Sequence, residues 1–145
     1  MQIVVAGGTG FIGWPLCASL SQEGHRITLL TRKIETQRAC DSTVTAIEWN
    51  GRTAGDWEHC LDDAHAVINL AGAPIADRRW TDARKQLLME SRTLSTRLLV
   101  EALSRRSLKP RTLISASGIG YYGASDDRLL DEGAARGQGF LSYLS

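Results

Sequence analysis

Three glycines at fixed spacing behind a short apolar run constrain this chain more than any other feature. Ile3-Val4-Val5-Ala6 reads as a buried parallel strand, Gly7, Gly8 and Gly10 turn the chain, and Phe11-Ile12-Gly13 opens a helix. Gly8-x-Gly10-x-x-Gly13 is a G-x-G-x-x-G pattern, and Gly7-x-x-Gly10-x-x-Gly13 overlaps it. One glycine permits a tight turn, one lets the backbone approach a pyrophosphate, and one lets the helix pack closely on its strand. Backbone N–H groups at the helix N-terminus, aided by the helix dipole, then face the phosphates. Gly7, Gly8, Thr9, Gly10, Phe11, Ile12 and Gly13 are therefore expected to hold a dinucleotide. The competing reading is a purely structural glycine turn. A P-loop is disfavoured, since no Gly-Lys-Ser/Thr follows.

The rest of the composition narrows the class. With 145 residues the chain fits one domain, given ~100–200 residues per domain. Its 17 basic and 16 acidic residues nearly cancel, which argues against nucleic acid or an anionic membrane as partner. No apolar run approaches the ~20 residues of a membrane span. The N-terminus has no basic n-region, so no signal peptide is expected. Cys17, Cys40 and Cys60 are scattered without a C-x-x-C. They read as reduced thiols of a cytoplasmic protein, with no metal site.

Along the chain, a first helix is expected from Phe11 to Glu23, with Phe11, Ile12, Leu16 and Leu20 as its apolar face and Gly24 as its stop. His25–Thr31 is the second strand, residues 34–43 a loop or short helix, and Val44–Trp49 the third strand. Trp49 suits either a place near an adenine or an edge-strand aromatic. A short helix at 57–61 leads to the fourth strand, His65 to Asn69, with its exit at Leu70, Ala71 and Gly72. His65 reads as a strand-start residue. Asn69 is expected to bond neighbouring backbone and hold adjacent strands. Thr81 is a candidate N-cap for a long helix over 82–106. Leu87, Ser91, Leu94, Leu98 and Ala102 line one face, with Leu88, Ser95, Leu99 and Leu103 beside them. That width suggests a partner helix, and hence a homodimer through 82–106. The helix arginines, Arg84, Arg92, Arg97, Arg105 and Arg106, read as solvated by default. Thr112–Ser117 is the fifth strand, 118–123 a loop, 124–139 an acidic glycine-rich stretch, and 140–145 the start of an apolar helix.

The second strand's end sets cofactor preference. A fold that takes NAD usually has an acid there for the ribose 2′-hydroxyl. This chain has Thr31-Arg32-Lys33 and no acid before Glu35. A guanidinium pairs bidentately with a 2′-phosphate and Lys33 adds positive charge, so NADP(H) is expected over NAD(H). The bland alternative is a solvated basic loop. After the fourth strand, the small residues would let a ribose or nicotinamide lie against the backbone of Leu70 and Ala71.

Four segments now resemble a family: GGTGFIG at 7–13, INLAG at 68–72, SRTLSTRLLVEAL at 91–103 and SASGIGYYG at 115–123. The chain looks like an extended short-chain dehydrogenase/reductase of the nucleotide-sugar-epimerase type. INLAGAPIADRRW and YYG bring it closer to the branch labelled "epimerase family protein" or cell-division inhibitor SulA. The resemblance implies a Rossmann-type α/β fold, a doubly wound parallel sheet in the order 3-2-1-4-5. It also implies that 1–145 is the cofactor-binding domain, truncated after about five strands, with the substrate domain outside it.

By the same resemblance Gly7, Gly10 and Gly13 cradle the pyrophosphate, Thr31 and Arg32 receive the 2′-phosphate, and Leu70 and Ala71 run beside the ribose. Ser117 is the catalytic serine, which polarises a substrate carbonyl or hydroxyl, and Ser115 is its fallback. Arg92 occupies the place of an Asn common in extended members and would point at the cofactor. The superfamily's Tyr-x-x-x-Lys pair departs further. Tyr121 and Tyr122 have Ser125 and Asp126 four residues on, and for Tyr143 that position lies past Ser145. No catalytic base is assigned. Two functions follow as expectations. One is an NADP(H)-dependent oxidoreductase or epimerase acting by hydride transfer on a small carbonyl or nucleotide-sugar type of substrate. The other is a non-catalytic NADP(H)-binding redox-sensing or regulatory module.

Overall fold

The computed structural model describes residues 1–34, 43–124 and 127–145. The expected loop or short helix at 34–43 falls almost wholly outside these, as do Cys40 and Asp126. The elements, in order, are β1 (Gln2–Ala6), α1 (Gly13–Gln22), β2 (Arg26–Thr31), β3 (Val44–Glu48), a 3₁₀ helix (Asp56–Leu61), β4 (Ala66–Asn69), α2 (Asp82–Ser104), β5 (Thr112–Ser115), a second 3₁₀ helix (Ile119–Tyr122) and α3 (Phe140–Leu144).

The strands form one parallel sheet in the order β3-β2-β1-β4-β5, as expected from the sequence. Register brings the C-terminal ends to one edge: Ala6 lies opposite Leu30 and Asn69, Thr31 opposite Glu48, and Asn69 opposite Ser115. Strand order reverses between β1 and β4, so the crevice at this edge lies where open α/β sheets bind ligands.

Alternation along the strands feeds two cores. Val4, Ala6, Leu30 and Val67 face Trp57, Leu61, Leu99, Ala102 and Leu103, so the 3₁₀ helix and α2 cover that face. Ile3, Val5, Ile27, Leu29 and Ile68 face Cys17, Leu16 and Leu20, so α1 covers the other. Coverage on both faces explains why β1 and β2 are buried at consecutive positions, Ile3–Ala6 and Ile27–Thr31, rather than at alternating ones. At β5 it stops: all four strand residues are exposed, with Leu113 at 40% and Ile114 at 50%.

Several expectations change. The first helix starts at Gly13, so Phe11 and Ile12 belong to the turn and are exposed, at 97% and 63%. The buried side of α1 is Gly13, Cys17 and Ser21. On α2 the buried residues are Leu88, Ser95, Leu99, Ala102 and Leu103, of which Leu99, Ala102 and Leu103 meet the sheet, while Leu87 and Val100 remain exposed. Three helix arginines are anchored rather than solvated. Arg84 pairs with Asp77, Arg106 pairs with Glu58 and Asp62, and Arg92 bonds backbone. Arg105 pairs with Glu58 at 2.8 Å and remains half-exposed. That guanidinium holds the Glu58 carboxyl below its usual pKa. Burial pushes the Cys60 thiol up to about 12.

Candidate functional site

The glycine loop is built around close backbone approaches. Gly7 has φ +77°, and a Cβ there would lie 2.8 Å from the backbone of Leu70 and Ala71. A Cβ on Gly13 would meet the Gly7 oxygen and Gly8 Cα at 2.5 Å. Both positions thus exclude side chains for packing reasons, with β1's exit wedged against β4's exit and against α1.

Gly7 N–H donates to Leu30 O (3.3 Å) and Gly10 N–H to Gly7 O (3.0 Å). The N–H groups of Phe11, Ile12 and Gly13 have no hydrogen-bond acceptor among the described residues. The position preceding α1, Ile12, offers no side-chain cap, and the first turn has no acid. A ten-residue helix therefore presents unsatisfied donors and the positive end of its dipole at the sheet's C-terminal edge. This cradle fits an anionic pyrophosphate.

At the β4 exit, Asn69 Oδ1 accepts from Ala71 N–H (3.1 Å) and its Nδ2 donates to Thr96 Oγ1 (3.0 Å). Asn69 thus bonds backbone as expected, but its other contact ties the strand to α2 rather than to a neighbouring strand. Arg92 reaches the same exit: Nη1 donates to Ala73 O (3.3 Å) and Leu88 O (3.2 Å), and a Cβ on Gly72 would lie 3.0 Å from its Cζ. Burial pushes the Arg92 guanidinium below its usual pKa. Arg92 and Gly72 are thus brought together with Leu70, Ala71 and Gly7. His65 is a strand-start residue: its Nδ1 accepts from Gln2 N–H at 3.2 Å.

Thr31 ends β2, its Oγ1 accepting from Lys33 N–H at 3.4 Å, and Arg32 is exposed beyond it. Register adds what the sequence reading missed. Glu48, on β3, stands opposite Thr31, an exposed acid that a search along β2 does not find. Trp49 is an aromatic of the edge strand, continuing the β3 ladder through its N–H to Thr31 O (2.8 Å). It is 4% exposed and packs on Trp57 with ring centroids 5.4 Å apart.

Ser115 closes β5 opposite Asn69, and the ladder extends through Ala116 N–H to Asn69 O (2.9 Å). Ser117 lies just past the strand, in a shallow recess of about 360 Å³ with Gly118, Ile119, Tyr121 and Tyr122. The segment read as a loop is a 3₁₀ turn here, and Tyr121 and Tyr122 meet edge-to-face at 5.2 Å. Ser142 Oγ donates to Tyr121 O (3.0 Å), which fixes α3 against this turn.

A five-stranded parallel sheet with a glycine loop at its switch point defines a Rossmann-type α/β domain. The chain belongs to the NAD dependent epimerase/dehydratase family, which it matches over residues 3–138. It is 37% identical over 142 residues to the epimerase family protein Mb2239 of Mycobacterium bovis, covering 98% of this chain and 44% of that protein. To YfhF, an epimerase family protein of Bacillus subtilis, it is 36% identical over 147 residues, covering 100% of this chain and 47% of the relative. The chain thus spans less than half the length of these relatives.

Among solved structures, the human epimerase family protein SDR39U1 (isoform 2), determined with NADPH, superposes with a TM-score of 0.76 at 29% identity, over 99% of this chain and 46% of the human one. A UDP-glucuronic acid 4-epimerase variant from Bacillus cereus gives 0.84 at 21% identity, over 99% of this chain and 48% of that one, a likeness of fold. The resemblance to short-chain dehydrogenase/reductase epimerases therefore stands. No helix among the described residues is long and apolar enough to cross a membrane.

Proposed function

We propose that this chain is the NADP(H)-binding part of an epimerase- or reductase-like protein acting on a small carbonyl or nucleotide-sugar type of substrate. The observation that carries the reading is the uncapped, glycine-lined entry to α1, where the Phe11, Ile12 and Gly13 N–H groups have no acceptor among the described residues, at the crevice where strand order reverses. Family membership and a relative solved with NADPH support it.

A nicotinamide bound there supplies hydride chemistry at C4. The chain's own residues do the rest. The N–H groups of Phe11, Ile12 and Gly13 hold pyrophosphate charge. Thr31, Arg32 and Lys33 receive the adenosine 2′-phosphate, with Arg32 as the fork. Leu70, Ala71 and Gly72 lay backbone along the ribose, and Arg92 orders that backbone from α2 through Ala73 O. The Ser117 hydroxyl, with Ser115 behind it, donates a hydrogen bond to the substrate oxygen and stabilises negative charge there.

Titration calorimetry with NADPH and NADH tests the cofactor reading. Arg32→Ala is expected to weaken NADPH by about 1.5–3 kcal/mol, the worth of a hydrogen bond to a charged group, and NADH far less. Equal losses would place Arg32 outside the phosphate site. Glu48 beside Thr31 gives the experiment its edge, since an acid there is the natural competitor for a ribose hydroxyl.

A second reading is a non-catalytic NADP(H)-binding regulatory module. It is favoured by one observation: neither Tyr121 nor Tyr122 is followed by lysine four residues on. Tight NADPH binding without hydride transfer to nucleotide sugars, aldehydes or quinones would select it.

A further inference from the structure

Resting on the reading above, we infer that the loop 73–80 is a preorganised anion clamp, in which Arg78 and Arg79 take a carboxylate or phosphate group of the substrate. The loop leaves β4 beside the glycine cradle, where Leu70 and Ala71 abut Gly7. It has no helix or strand of its own, yet it is fastened along its length. Ala73 N–H donates to Ser91 Oγ (3.0 Å), and Ala73 O accepts from Arg92. Arg84 reaches back to both Pro74 O and the Asp77 carboxylate. Trp80 Nε1 donates to Ile75 O at 2.8 Å.

The Trp80 ring meets Phe140 of α3 edge-on at 5.4 Å. Since α3 also holds Tyr121 through Ser142, the loop and the Ser117 recess are joined by one packed unit. Two charges are left over. Arg78 and Arg79 are exposed, their guanidinium groups have no hydrogen-bond or ion-pair partner among the described residues, and the adjacent acid, Asp77, is taken by Arg84. A guanidinium fork matches the paired oxygens of a carboxylate or a phosphate. Because folding already orders the loop, binding does not bear that entropy cost.

The test titrates inorganic pyrophosphate and malonate into the chain, with and without saturating NADPH. Wild type is expected to bind one or both probes in the presence of NADPH, and the stronger probe identifies the phosphate or carboxylate source. The paired substitution Arg78→Ala and Arg79→Ala is expected to weaken that probe at least about tenfold and to leave NADPH affinity unchanged. Arg97→Ala, at an exposed α2 arginine, is expected to change neither.

Asp77→Asn separates a built clamp from plain positive charge. It removes a negative charge beside the arginines, so charge alone predicts tighter probe binding. Loss of the Arg84 anchor predicts weaker binding, by about threefold, with circular dichroism confirming the fold. Probe binding that is absent in wild type, or unaffected by the paired substitution, overturns the clamp. So does tighter binding in Asp77→Asn, or loss of NADPH with the arginines. Arginine-dependent probe binding in a chain that binds no NADPH would overturn the proposed function alone and uphold the anion clamp.

Discussion

The two long helices begin in opposite ways. Both follow strands of the same sheet and start at its C-terminal edge: α1 after residues 7–12, α2 after residues 70–81. At α2 the end carries a side-chain cap and a negative charge. Thr81 is extended at φ −73°, ψ 166°, its hydroxyl accepts from Arg84 N–H at 3.2 Å, and Asp82 adds a carboxylate to the first turn. At α1 none of this is present. Ile12 is helical at φ −82°, ψ −39° without a side-chain cap, no acid follows, and the loop before it is glycine where the other carries anchors. Both ends keep open donors among the described residues, Asp82 and Ala83 N–H at α2 and Phe11, Ile12 and Gly13 N–H at α1. The difference lies in what faces them: a capping hydroxyl and a carboxylate at α2, glycine and neither group at α1, which leaves α1 the end suited to an anion. Within one molecule, α2 thus serves as an internal control for the reading of α1.

The largest blow to this contrast comes from Gly13→Ala. The added methyl would sit 2.5 Å from Gly7 O and Gly8 Cα, both backbone atoms that cannot step aside alone. Overpacking of this kind costs about 1–3 kcal/mol, and the displaced loop is the cradle itself. Calorimetry should find NADPH binding abolished while circular dichroism still reports a folded chain. Retained affinity would mean that the glycine loop is only a turn.

Phe11→Asp probes the same end with the opposite sign on stability. Phe11 is 97% exposed, so its removal costs no packing. An aspartate there meets the open donors and should stabilise the free chain by about 0.3–1 kcal/mol, as a carboxylate at a helix N-terminus does. The same charge repels a pyrophosphate, so NADPH should bind about tenfold more weakly. A rise in melting temperature together with a fall in affinity would confirm that the cap was left out for a ligand. A rise in both would break the comparison.

How much of this was legible in the sequence depends on how local each signal is. The strand order came from the family resemblance, whereas the strands and the glycine turn before α1 were readable because buried parallel strands and the glycine spacing are written within single segments. The Thr81 cap was readable for the same reason. The buried side of α2 was not: Leu87 and Leu88 are equally apolar neighbours, and only the tertiary fold buries one and leaves the other 39% exposed. The arginines failed as solvated residues because their acceptors are distant or lie in backbone, as with Arg106 and Glu58 across 48 positions. Glu48 escaped notice because its place beside Thr31 comes from register between strands. The Trp49–Trp57 contact likewise joins a strand end to a later 3₁₀ helix. For the candidate site, the close-packed glycine turn was visible in advance, but the fastening of the loop 73–80 was not, since Arg84 and Arg92 act on it from the following helix.

Thr81→Ala is the smallest change and the strictest control. Loss of an N-cap hydroxyl costs ~1 kcal/mol, and here it frees one donor, Arg84 N–H, at a helix end that keeps Asp82 and its backbone turn from Thr81 O to Lys85 N–H at 2.9 Å. Chemical denaturation should show that loss in full, while NADPH affinity stays at the wild-type value, because α2 offers its end to no ligand. If NADPH affinity fell in step with stability, the two helix ends would be coupled through the β4 exit, where Asn69 already joins Thr96 to Ala71. The scaffold role of α2 would then have to be replaced by a positioning role. An unchanged affinity assigns the difference between the two helices to their N-termini alone.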